Sequence, residues 1–171
     1  MNFFEVVRKR RSIRSFLSVS IAEDELRRIL DAANAAPSAG NLQSYEIYVV
    51  KEKRRRESLA RAAHEQLFVA GAPVSLVFCS HTARSGERYG KRADLYAVQD
   101  ATIACTFAML AAAAQGLATV WVGSFETDDV RRVIGAPPGI VPVAILPVGR
   151  AADMPEAPVR RALEDLVHWE G

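Results

Sequence analysis

The run from Leu95 to Leu117 constrains this chain more than any other stretch. It is the longest apolar run and is rich in alanine. Gln99, Asp100 and Gln115 interrupt it too often for a membrane span. A helix with apolar side chains nearly all round must be buried on most sides. Its small side chains also let neighbouring helices approach closely. The run therefore predicts a central helix that can also lie at a subunit interface, stopped by Gly116.

The rest of the chain supplies elements to pack around such a helix. The sequence has 171 residues, enough for one domain spanning 1–171 with a real core. Hydrophobic residues make up 50% and charged residues 25%, which excludes a disordered chain. Phe3–Lys9 has the spacing of a short helix, and Ser12–Ser18 reads as extended. Ser20 and Glu23 fit a capping box. Leu26, Ile29, Leu30 and Ala33 then follow at helical spacing, up to about Ala36 before Pro37. Tyr45–Val50, Pro73–Cys79, Ala118–Val122 and Val141–Val148 read as strands. Pro142 and Pro147 push the last of these toward a sheet edge. Lys51–Ala63 is a charged helix whose cations face water, and Glu65–Ala70 is a short turn or helix. Thr127 caps a helix over Asp128–Ile134. His81–Asp94 has two glycines and no period, as a lid or binding loop would. Four separated strands among several helices make an α+β domain.

The charge is local. Arg8, Lys9, Arg10, Arg11 and Arg14 lie within seven residues, with no carboxylate before Ile21 to neutralise them. Arginine offers planar paired donors, and Ser12 adds a hydroxyl that suits a phosphate better than a carboxylate. The plain alternative is a solvated basic face or a nucleic-acid patch. A net charge of +2 is too small for a general nucleic-acid binder. Pro37–Gln43 carries Ser38, Asn41 and Gln43, uncharged groups suited to a neutral polar ligand edge or to a plain turn. Cys79 and Cys105 lie in apolar segments and read as inert thiols of a reducing cytoplasm. No secretory leader pattern is visible at the N-terminus, which fits that compartment.

His64, His81 and His168 are far apart and lack ligand spacing, so no metal site is expected. There is no GxSxG, and neither cysteine has an adjacent base, which argues against a covalent hydrolase. Neither a phosphate loop of the GxxxxGK[ST] type nor GxGxxG after a strand is present. Phosphate-like donors without an acid–base motif point to a bound cofactor that does the chemistry.

RRSIRSF at 10–16, APSAGNLQ at 36–43, WVGSF at 121–125 and RRALEDLV at 160–167 occur in this order. With the alanine-rich helix before WVGSF, they resemble the FMN-dependent nitroreductase family in its short form, over nearly the whole chain. The resemblance implies a central, mostly antiparallel sheet flanked by helices, in an intertwined homodimer. It places Arg10, Arg11 and Ser12 at the FMN phosphate and ribityl chain, and Arg14 at the pyrimidine edge. Pro37, Ser38, Ala39 and Asn41 fall on the loop that reaches the flavin of the partner subunit. Gln66 matches a side-chain amide near the flavin. Gly123 and Ser124 match the segment at the reactive nitrogen. Arg160 and Arg161 match a late arginine at the phosphate.

With Gly123, Ser124 and Arg14 at the reacting ring, the implied activity is an oxidoreductase. It takes hydride from NAD(P)H and reduces nitroaromatics, quinones or similar small acceptors by ping-pong, without nucleic acid or membrane as partner. A cation at Arg14 would stabilise negative charge in the pyrimidine ring. The alternatives are another flavin reaction on the same fold, such as reductive dehalogenation or flavin destruction, and an anion- or nucleic-acid-binding module. There are departures from the family pattern. Phe68 and Val69 stand where some members carry a second cation. Ala162 replaces a proline. The substrate-side insertion is cut down to about His81–Asp94.

Overall fold

Alternation along the strands decides the architecture. The computed structural model describes all 171 residues. Strands β1 (Tyr45–Val50), β2 (Val74–His81), β3 (Ala118–Thr119) and β4 (Ile140–Gly149) form one sheet in the order β1-β2-β4-β3. Every neighbouring pair is antiparallel. Successive side chains of a strand point to opposite faces. Leu76 and Phe78 of β2 and Ala144, Leu146 and Val148 of β4 belong to one core. Val77, Cys79 and Ile145 belong to the other. A sheet buried on both faces needs helices on both.

Seven helices supply that cover: α1 (Phe3–Lys9), α2 (Glu23–Asn34), α3 (Lys53–Ala62), α4 (Phe68–Gly71), α5 (Ala83–Tyr89), α6 (Ala93–Ala114) and α7 (Thr127–Ile134). Leu26, Ile29 and Ala33 of α2 pack with Ala101, Ala104, Cys105, Ala108 and Ala112 of α6 on the first face. Leu59, Ala60 and Ala62 of α3 pack with Val130 and Ile134 of α7 on the second. The helical stretch Ala83–Ala114 is long and apolar enough to cross a membrane by length and composition, so its polar residues do not by themselves argue against a span. Its α6 part serves as the core helix of the fold. Leu95, Val98 and Phe107 on its outer side remain exposed.

Several local expectations change. Ser20 does not cap α2. The N-cap is Ala22, two residues after Ser20, because the Glu25 carboxylate accepts the Ala22 N–H at 2.9 Å and is braced by Arg150 at 3.0 Å. Glu126, rather than Thr127, precedes α7, and it makes no side-chain cap. The cations of α3 do not all face water. Arg56 donates to the carbonyls of Ala70 and Ala72, and burial depresses its guanidinium pKa.

Strand β4 is central, not an edge, despite its prolines. Pro142 sits opposite Cys79 at a register shift that leaves its neighbour Val143 of β4 without a partner in β2, where a missing donor costs little. On the other side, β3 pairs Thr119 with Val148 and rejoins only at the Val122–Ile145 bridge. Pro147 falls in the gap between them, so Ala118–Val122 is a broken strand. His81–Asp94 is helical rather than an open loop, formed by α5 and a 3-10 turn at Gly90–Arg92. From Ala152 to Gly171 every residue is exposed, with one short 3-10 turn at Leu163–Asp165.

Candidate cofactor site

The basic run becomes a site because its neighbours fix its direction. Buried Ile13 donates its N–H to the Thr119 carbonyl at 3.0 Å, which ties the run to the end of β3. Leu17 N–H donates to Arg150 O, and Ala152 N–H donates to Ser15 O, each at 2.9 Å. These bonds lay the segment after β4 alongside the basic run. With Ile13 turned inward, Ser12 and Arg14 point the other way. Between the two segments lies a cavity of about 380 Å³ lined by Arg10, Arg11, Ser12, Arg14, Pro155, Glu156, Pro158 and Arg160.

Four arginines face one carboxylate there, and no hydrophobic residue lines the space. None of the four makes an ion pair within the chain. Burial, then the charges of Arg160 and Arg11, depress the Arg10 pKa. Burial is the larger cause, and the two neighbouring guanidinium charges add to it. Arg11 also donates to the carbonyls of Arg8 at 2.7 Å and Arg10 at 2.9 Å, which holds its guanidinium against the turn. The donor set fits a phosphate ester: planar forks for its oxygens and a hydroxyl beside them. Arg161 is elsewhere, donating to the Asp165 carbonyl at 2.8 Å.

A second unit adjoins the first through Phe68. The Arg14 guanidinium lies 5.9 Å from the Phe68 ring centroid. Two residues earlier, Gln66 Nε2 donates to the Ser124 carbonyl at 3.1 Å and to Ala63 O at 2.8 Å. Glu126 N–H donates to Ala62 O at 2.8 Å and anchors the far end of the segment. The backbone amides of Gly123, Ser124 and Phe125 donate to nothing in the chain. Three consecutive free amides held in place by their flanks can receive the edge of a ligand ring. A Cβ on Gly123 would stand 3.1 Å from Trp121 Nε1, so the segment has little room for a larger residue.

The Pro37–Gln43 loop is not part of this cavity within one chain. It forms a 3-10 turn over Ala39–Asn41, with Gly40, Asn41 and Gln43 all at positive φ. The Ser38 Oγ accepts the Gln43 N–H at 3.0 Å, and Gln43 Nε2 donates to the Asn41 carbonyl and Oδ1 at 2.7 and 2.8 Å. Asp100 of α6 accepts the Ala39 and Ser44 amides. From α5, Arg84 donates to Gln43 O at 3.1 Å and Arg88 to Gly40 O at 3.4 Å. Arg84 also pairs with Glu46 at 2.9 Å, as does His81 at 3.0 Å. The segment expected as a lid is thus clasped to the loop.

In the sequence Asp100 reads only as an interruption of the apolar run, and Arg84 and Arg88 do not stand out. The available signal was a lone carboxylate inside an alanine-rich helix. Cys79 and Cys105 are buried and unpaired, and burial pushes the Cys79 thiol up to about 12 and raises Cys105 as well.

Comparison with known proteins gives a consistent picture. The family model of the nitroreductase family matches residues 7–83 and 62–150. The NADH dehydrogenase of Thermus thermophilus is 31% identical over 191 residues, covering 94% of this chain and 92% of that protein. An NAD(P)H-dependent FMN reductase of Bacillus subtilis is 29% identical, covering 94% and 70%. Among solved structures, the NADPH:FMN oxidoreductase of Vibrio harveyi complexed with NAD+ superposes with a TM-score of 0.91 at 27% identity, over 100% of this chain and 78% of that one. Nitroreductase A of Vibrio parahaemolyticus gives 0.91 at 28% identity, over 100% and 76%.

Proposed function

The chain belongs to the nitroreductase family, and from that premise we propose that it is an FMN-dependent oxidoreductase. It takes reducing equivalents from NAD(P)H and passes them, by ping-pong, to nitroaromatics, quinones or similar small acceptors. The observation that carries the reading is the cavity of four arginines and Ser12, unpaired within the chain and next to the Gln66–Ser124 unit. Relatives named for FMN reduction and NADPH–flavin oxidoreduction support it.

In this reading the whole chain is one FMN-binding domain. Arg10, Arg11, Ser12 and Arg160 hold the phosphate and ribityl chain. Arg14, stacked toward Phe68, holds negative charge at the pyrimidine edge. Gln66 fixes the Ser124 carbonyl, and so keeps the free amides of Gly123 and Ser124 aimed at the ring. Bound FMN supplies the two-electron chemistry that these residues cannot perform themselves. The protein works as a homodimer, in which the 37–41 stretch of one subunit reaches the flavin of the other. Uncovered apolar side chains support the dimer: Leu95, Val98 and Phe107 on α6, Phe3 and Phe4 on α1, and Leu163 and Trp169 on the tail. We place it in the cytoplasm, where its unpaired buried thiols stay reduced.

The test is optical. Protein reconstituted with FMN should show flavin absorbance that NADH or NADPH bleaches without oxygen, and an added quinone should restore it. A protein that takes up no flavin and binds nucleic acid in a salt-dependent way would replace this reading with the binding module.

A further inference from the structure

Asp100 is a carboxylate in the wrong place for packing alone. It lies in α6 at 1% exposure, on the face that Ala97, Ala101 and Ala104 line with methyl groups. A buried carboxylate is costly unless hydrogen bonds satisfy it, and an apolar residue of similar size usually serves a core as well. It pairs with no cation in the chain. Its partners are two backbone amides: Oδ1 accepts Ala39 N–H at 2.9 Å and Oδ2 accepts Ser44 N–H at 3.2 Å.

Those amides bracket one loop. Between them Gly40, Asn41 and Gln43 take left-handed backbone angles, which asparagine tolerates and glutamine resists. A loop built from such angles does not keep its shape by local preference. One oxygen at each end closes it like a staple, and the Ser38–Gln43 and Gln43–Asn41 bonds fill the interior. With the Asn41 Oδ1 held by Gln43, the side-chain nitrogen of exposed Asn41 has no acceptor in the chain and is left as a free donor.

We propose that Asp100 is a positioning residue for the flavin. Its carboxylate holds the Ala39 and Ser44 amides so that Asn41 and Ser38 meet the cofactor at the subunit boundary. The inference rests on the reading that the 37–41 stretch reaches a flavin. Asp100 touches neither cofactor nor substrate, and acts only through the loop. In Asp100→Asn the side chain keeps its shape, but its nitrogen must face one of the two amides, which loses an acceptor.

The experiment titrates FMN into apo-protein and follows backbone amide exchange in the same apo-protein. Asp100→Asn should raise the FMN Kd about tenfold, the scale of one buried amide left without its acceptor. Exchange at Ala39 and Ser44 should quicken in parallel. Cys105→Ala, buried in the same helix, should lower Tm while moving neither readout. An Asp100→Asn protein with wild-type Kd, or with unchanged exchange at Ala39 and Ser44, overturns the proposal. If Asp100→Asn does not fold, Asp100→Glu, which keeps the charge but displaces the oxygens, is judged by the same two readouts. Wild-type protein that binds no FMN refutes the function itself, an outcome separate from indifference of the variant.

Discussion

Gly40→Ala tests how the loop and α5 are built against each other. Gly40 has φ +56, where a Cβ meets its own backbone. Holding alanine in that region costs about 1–2 kcal/mol. The new Cβ would also stand 2.5 Å from Tyr89 Oη and 2.7 Å from Arg88 Nη1. Both atoms end flexible side chains, so they swing away rather than block folding. Swinging Tyr89 breaks its edge-to-face contact with Tyr96, whose centroid is 4.8 Å away. Such a pair contributes about 0.5–1.5 kcal/mol. The sum is about 1.5–3.5 kcal/mol, and at roughly 2–4 °C per kcal/mol for a chain of this size Tm should fall by about 3–14 °C.

The assay is calorimetry of the apo-protein with amide exchange across α5. Gly86→Ala is the control, because it lies in the same helix with nothing within 4 Å of a new Cβ. It should leave Tm unchanged or raise it, as alanine favours a helix over glycine by about 1 kcal/mol. A Gly40→Ala protein as stable as wild type, with α5 exchange unaltered, would refute the packing of α5 on the loop.

Arg160→Ala should weaken FMN binding by about 10- to 100-fold, the range of one charge-assisted hydrogen bond. Arg161→Ala should leave the titration unchanged, since its guanidinium is turned to the Asp165 carbonyl. Both cysteines should resist a disulfide reagent at pH 8 in native protein and react on unfolding. Burial holds Cys79 as the neutral thiol up to about pH 12 and raises Cys105 too, and only the thiolate attacks. Mixing an Arg10→Ala, Arg14→Ala chain with a Ser38→Ala, Asn41→Ala chain should restore part of the activity and bound flavin, because one of two shared sites in each heterodimer is intact. Heterodimers no better than either parent would place the whole site within one chain.

The strand and core pattern was legible because hydrophobic periodicity survives folding. Tyr45–Val50 is a strand with those limits, and α6 runs within two residues of the expected start. What was not legible depended on partners distant in sequence. Glu25 outcompetes the Ser20 box because Arg150, far along the chain, braces it. The prolines of β4 mislead because the gap in β3 and the register shift between β2 and β4 are tertiary features. Arg56 looks solvated until Ala70 and Ala72 turn their carbonyls toward it. Residues 81–94 read as aperiodic because α5 is short and breaks at Gly90. In the site, the basic run and the late arginine were both visible as charges, but only the bonds from Leu17 and Ala152 bring Arg160 to Arg10. Asp100 was visible as a letter and silent as to role, since its two amides belong to a loop 56 to 61 residues earlier.

In the proposed reading the arginine cavity seats the phosphate of a flavin mononucleotide. Parallel titration of apo-protein with FMN and with riboflavin, which lacks only the phosphate, isolates that contact. FMN should bind at least about 100-fold more tightly, as two charge-assisted hydrogen bonds or more require. The preference should shrink as salt rises. Equal affinity for the two flavins, or uptake of neither, would rule out a phosphate seat in the cavity.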